Sequence, residues 1–184
     1  MYLLDSDVFL QAKNLHYGFD ICPGFWEWLE DASRRGVLGS VAAVKAELVE
    51  QGDELSSWVK GHDGLFVPED PATTTAMREV TAFAQSPRFS AAHRAKFLAK
   101  ADPLLIACAK AHGHTVVTHE KSAPDSKKVK IPDVCEALGV PTDGIYQVIR
   151  NDGANFTFRS EQQPFTLGAA KDALDAAPAA PEML

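Results

Sequence analysis

Cysteine is scarce in this 184-residue chain: Cys22, Cys108 and Cys135 are odd in number, far apart and in no metal-ligand spacing. That excludes a disulfide framework and a cysteine-built metal site, and reads as buried thiols in a reducing compartment. Long hydrophobic runs are absent too, so no membrane span is expected. The opening "MYLLDSDVF" has no basic n-region, and its apolar stretch is too short for an export signal. A cytoplasmic location is the expectation. Positive charge is in deficit, with 18 Lys and Arg against 25 Asp and Glu for a net charge of −7. That argues against a general nucleic-acid coat. An enzyme acting on nucleic acid stays open, because a site built of carboxylates is itself negative until a cation binds. No internal repeat is visible.

What is present is ordinary for one globular domain: 46% hydrophobic and 23% charged residues, in a length that can bury a real core. Tyr2–Leu4 reads as a fully buried strand. A helix is predicted from near Asp7 through Val8, Phe9, Ala12 and Leu15. "PGFWEWLEDASRR" reads as a helix opened by Pro23 and closed by Gly36, with Trp26 and Trp28 too close in register for both to face straight inward. "VLGS" reads as a second strand, with Ser40 as N-cap of the helix "VAAVKAELVEQG". "DELSSWVKGH" adds a helical turn or two and "LFV" a possible strand. The stretch 72–100 is helical by composition, broken at "SPRFS". "ADPLLIACAKAHG" predicts a buried helix between Asp102 and Gly113, followed at once by the strand "TVVT". "IPDVCEALGV" and "GIYQVIR" read as closing helices.

Such strand–helix alternation implies an α/β fold of three layers, with a central parallel sheet of about four to five short strands flanked by helices. Residues 1–150 are expected to form this domain. Residues 151–184 read as a C-terminal extension, Ala/Pro-rich towards its end and partly mobile.

Ligands collect at the carboxyl ends of strands in open parallel sheets. That rule singles out Asp5 after the first strand and the Thr118–Glu120 segment after "TVVT". Asp102 opens the helix leading into that strand. Val41, Val44 and Leu48 form the apolar face of their helix, and Glu47 lies on its shoulder, placed to look into a cleft. Each acid has a bland alternative: Asp102 and Asp7 as helix caps, Glu47 as a surface acid, Glu120 as a loop acid. Only Asp5 resists one, because ending a buried strand on a charge costs several kcal/mol unless it is paired or metal-bound. Together, Asp5, Glu47, Asp102 and Glu120 are hard oxygen donors suited to Mg2+ or Mn2+, the metals of phosphodiester hydrolysis. Lys121, Lys127, Lys128 and Lys130 in the following loop are candidate phosphate contacts, or a solvated run.

These residues, in this order, resemble the PIN-domain family of metal-dependent ribonucleases. "YLLDSDVF" is similar to that family's opening "hhhDTNhhh", with Asp7 where Asn is usual. Val44–Leu48 matches its "V..EL" helix, "KADPLLIACAKAHG" its third acid, and "TVVTHE" its "hhT.D" strand with Glu120 in place of Asp. "FDICPGFWEWL" and "KIPDVCEALGV" resemble a bacterial subgroup close to toxins of toxin–antitoxin pairs. The resemblance covers residues 2 to about 140 and implies a PIN-like fold. It implies that Asp5, Glu47 and Asp102 hold Mg2+ (or Mn2+) and that Glu120 completes the site directly or through water. Ser6, Asp7 and Thr118 would support those ligands, the substrate would be RNA, and an antitoxin protein and a second copy of the chain are possible partners.

Two other readings stand. "LLDSDV" also fits the opening of haloacid-dehalogenase-type phosphatases, with Asp5 as nucleophile and Asp7 as general acid, though nothing downstream supplies the late strand ending in paired aspartates. A PIN-like scaffold that binds RNA or protein without cutting is the third.

Overall fold

The computed structural model describes residues 1–157 and, beyond them, the backbone of Arg159–Ser160 and Gln163–Pro164. Residues Met1–Ala154 form one compact unit, and a second begins at Asn155. Of the second, the described part is residues 155–157 and the antiparallel pairing of those two short strands. The Ala/Pro-rich end, with its expected mobility, lies outside the described residues.

Five parallel strands make the sheet: β1 (Tyr2–Leu4), β2 (Leu38–Val41), β3 (Phe66–Val67), β4 (Thr115–Val117) and β5 (Thr142–Asp143). Their spatial order is β3-β2-β1-β4-β5. Helices flank the sheet, giving a three-layer α/β architecture: α1 (Ser6–Gln11), α2 (Pro23–Arg34), α3 (Ala42–Glu50), α4 (Glu54–Lys60), α5 (Pro71–Ala84), α6 (Ala91–Leu98), α7 (Asp102–His112), α8 (Ile131–Leu138) and α9 (Ile145–Asn151). Leu3, Leu4, Val116 and Val117 are fully buried on the central strands, as a sheet covered on both faces requires. From β1 the chain builds outward to β2 and β3, then returns past β1 to begin β4 on its other side. β1 and β4 therefore flank the switch point, where the connections diverge and leave a crevice at the strands' carboxyl ends.

Local chemistry explains most boundaries. Pro23, Pro103 and Pro132 sit in the first turns of α2, α7 and α8, where a missing N–H costs nothing. Gly113 and Gly139 end α7 and α8 at φ 64° and 68°, a left-handed turn that a side chain would strain.

Three local expectations are corrected. Ser40 does not cap α3; it lies within β2, fully buried, and its Oγ donates to the Leu4 carbonyl at 2.6 Å, while Val41 stands at the N-cap. Asp102 does not cap α7 either, for it is the first helical residue and Ala101 occupies the cap. After α1 the chain continues as a π-helical turn, Ala12–His16, whose wider winding rotates Leu15 out to 71% exposure. Trp26 and Trp28 are both buried with Phe25 and Leu29, and their indoles meet different segments, so neither has to face straight inward beside the other. The Trp26 indole donates to the Tyr17 carbonyl and that of Trp28 to Asp152, each at 2.7 Å.

Among the described residues, no helix is long and apolar enough to cross a membrane.

Candidate active site

Asp5 closes the central strand: its N–H donates to the Val117 carbonyl at 3.0 Å, the last rung between β1 and β4. Its backbone occupies the N-cap of α1, yet the carboxylate makes no capping bond. Instead Oδ2 accepts the Thr118 hydroxyl at 3.0 Å and Oδ1 the Ser6 hydroxyl at 3.3 Å, with the side chain 4% exposed. The Thr118 oxygen in turn accepts the Glu120 N–H at 3.1 Å, so one hydroxyl orders both strand-end acids.

Asp102 is half-buried, and no hydrogen bond holds its carboxylate among the described residues. Glu47 reaches across from α3, where Val44 and Leu48 are fully buried, and its Oε1 accepts the Ala101 N–H at 2.8 Å. Glu120 is doubly engaged, taking the Ile131 N–H and the Lys130 ammonium at 2.9 Å each. Asp7, one residue into α1, accepts from the Gln11 amide at 2.7 Å.

The acids from β1, α3, α7 and the β4–α8 loop feel one another. Burial pushes the Asp5 carboxyl up to about 6, the Thr118 hydrogen bond opposes this, and the charges of Asp7 and Glu120 add to it. Asp102 is pushed up to about 7 by burial first and by the charge of Asp5 next; Lys100 opposes, and Glu47 and Glu120 add to the rise. As they stand, no three acidic, histidine or cysteine side chains among the described residues are gathered closely enough to hold a metal ion. Like charges repel, and Glu47 and Glu120 are each turned towards a helix start.

Two clefts meet here. Asp5, Asp7 and Ser6 line one of about 290 Å³, together with Lys100, Asp102 and Glu120. Those last three also line an adjoining cleft of about 300 Å³, whose other walls include His93 and Lys96 on α6 and Lys128 and Lys130. Of the four lysines singled out from the sequence, Lys128 and Lys130 thus border the acids. Lys121 lines a third cleft beside Thr118 and Asp143, and Lys127 is exposed and lines none of these three.

Sequence reasoning missed Lys96, Lys100 and Asp143. The first two were accessible, because a spacing of four ahead of Asp102 puts them one turn apart on α6 and its end. Asp143 was not, since β5 has two residues and no pattern of its own.

Fold and site together define an α/β protein with an acidic cleft at the switch point of a parallel sheet. The chain belongs to the family described as "Domain of unknown function (DUF4411)", whose model matches residues 2–156 and so takes in every residue of both clefts. No curated protein and no solved structure matches it.

Proposed function

We propose that this protein is a divalent-metal-dependent endoribonuclease of PIN-like type. The observation that carries the reading is that Asp5, Asp102 and Glu120, from three separate segments, line one cleft at the strands' carboxyl edge, with Glu47 near enough for its charge to act on Asp102. Two acids at or near neutral pKa form a donor set short of positive charge, all oxygen, and this suits a hard cation. Asp5, Glu47 and Asp102 would hold Mg2+ or Mn2+, with Glu120 reaching it directly or through water. When bound, the metal supplies Lewis-acid stabilisation of the phosphoryl oxygens and a water of lowered pKa.

The chain's own residues do the rest. Thr118 and Ser6 hold the Asp5 carboxylate in one orientation by their hydroxyls. Asp7 lines the cleft wall next to Asp5, where it can accept a hydrogen from a water or a ribose hydroxyl. Lys96, Lys100 and Lys128 offset the negative charge of an incoming phosphodiester that the acids alone would repel. The toxin subgroup adds an antitoxin protein or a second copy as partner. Leu15 and Ile21, 71% and 80% exposed around the loop before α2, are apolar surface of the kind a protein partner covers.

A non-catalytic scaffold is the alternative. It is favoured by the backbone N–H bonds that occupy Glu47 and Glu120.

The test is cleavage of single-stranded RNA by purified protein in Mg2+ or Mn2+. Cleavage that stops with chelator and is lost in Asp5→Asn, with folding retained, is the expected result. Metal binding without cleavage, or equal cleavage by wild type and Asp5→Asn, overturns the proposal.

A further inference from the structure

Beside the acids stands a group of rings that the proposed chemistry leaves unused. His16 ends the π-helical turn after α1, His119 lies between Thr118 and Glu120, and Tyr146 is the second residue of α9. Three separate segments bring them together. The His16 and Tyr146 centroids are 5.8 Å apart at 71°, His119 and Tyr146 6.4 Å at 68°, and His16 and His119 6.2 Å at 42°.

These rings are not core. Tyr146 is 41% exposed, one of few large hydrophobic side chains that are exposed among the described residues, and His16 is exposed as well. None of the three pairs is stacked face to face. The contrast is with Tyr17 on Phe25 at 4.3 Å and Phe19 on Trp26 at 4.0 Å, whose faces are covered by one another. Planar groups of mixed polarity, set tilted or edge-on, with Tyr146 and His16 exposed and His119 half-buried, suit a flat heteroaromatic ligand that can stack on a face and accept or donate at its rim.

Position identifies that ligand. His119 is flanked by the residue that orders Asp5 and by the acid that lines both clefts. The lysine-lined cleft shares Lys100, Asp102 and Glu120 with the cleft of Asp5, and His119 is near enough to that cleft for the charge of Asp7 to act on it. A strand whose phosphate reaches Asp5 and Asp102, and whose backbone continues between Lys96 and Lys128, leaves a neighbouring base near these rings. We infer that His16, His119 and Tyr146 form a nucleobase-stacking subsite that positions a single-stranded polynucleotide across the acidic cleft. The inference rests on the nuclease reading for the phosphate's place, and on the rings alone for the base.

The test separates the two. Fluorescence anisotropy with Ca2+ in place of Mg2+ compares a labelled single-stranded oligoadenylate with a same-length strand of abasic sites. The wild-type protein is expected to prefer the base-bearing strand by about tenfold, the scale of one stacked base. Tyr146→Ala is expected to abolish that preference without weakening the abasic strand, and Tyr146→Trp to restore it. His16→Ala is a second variant, at an exposed position where folding is not at stake; it is expected to reduce the preference. No preference in the wild type, no binding of either strand, or a preference that survives Tyr146→Ala overturns the subsite. Cleavage in Mg2+, measured separately, decides the nuclease reading: base preference without cleavage overturns that reading and leaves the subsite standing.

Discussion

Asp5 and Asp7 stand two residues apart in one cleft, yet their surroundings divide their roles. Asp5 is almost wholly buried, is held by two hydroxyls, and has its pKa pushed up by burial above all. Asp7 is half-buried and already accepts a side-chain hydrogen bond from Gln11. In the nuclease reading Asp7 only orients a neighbour or a water, work that an amide can do. In a phosphatase it would have to give up and take back a proton, which Asn cannot do. Asp7→Asn is therefore expected to keep at least about a tenth of wild-type RNA cleavage, against the 10²-fold or greater loss expected where a general acid is removed. If Asp7→Asn is as inactive as Asp5→Asn and a small phosphomonoester is the better substrate, the phosphatase assignment replaces the nuclease one.

Helix starts dominate at the scale of elements. Glu47 serves the N-terminus of α7 through the Ala101 N–H, and Glu120 serves that of α8 through the Ile131 N–H. A helix N-terminus carries partial positive charge, so each acid has a partner in the absence of metal. Asp133 does similar work for the loop between them. Buried at 5% exposure, it accepts the Ser122 hydroxyl at 2.6 Å and the Ala123 N–H at 3.1 Å, pinning the segment that carries Lys128 and Lys130. Asp133→Ala leaves both donors without their acceptor, at a cost of about 1–3 kcal/mol. Faster limited proteolysis within residues 121–130 and a lower denaturation midpoint are the expected readouts. An unchanged cleavage pattern would mean that the loop is held by other contacts.

For the molecule as a whole, the crowded acids are expected to make stability depend on pH and, in the nuclease reading, on metal. Asp5 and Asp102 keep their protons up to about pH 6 and 7 when folded, but lose them near 4 when unfolded. Between these limits the folded chain binds more protons, so their contribution to stability falls as pH rises towards 7. His114 and His119, whose pKa values burial lowers, act in the opposite sense below about 6.5, so the difference between variants isolates the acids. In chelator, Asp102→Asn is expected to melt above wild type at pH 8, and the gap is expected to close as pH falls towards 5. Mg2+ at pH 8 is expected to raise the wild-type melting temperature and leave that of Asp102→Asn nearly unmoved. A gap independent of pH would mean that Asp102 titrates normally.

Much of the fold was legible in the chain because its signals are local. A proline fixes the start of a helix within one turn, a glycine permits the left-handed stop, and unbroken apolar residues such as Leu3–Leu4 and Val116–Val117 identify strands covered on both faces. The carboxyl-edge rule then placed Asp5 and Thr118–Glu120, and the apolar face of α3 placed Glu47 on its shoulder. Hidden from such reading were the two-residue strand β5 with Asp143, the turn of Ser40 into the sheet towards Leu4, and the π-helical turn that exposes Leu15. Hidden too were the partners of each acid and the meeting of His16, His119 and Tyr146. Periodicity and caps act over a few residues of backbone and can be read in order along a chain. Which charge faces which, and which rings share a surface, follows from segments more than a hundred residues apart being packed at one sheet edge, and only the tertiary structure decides that.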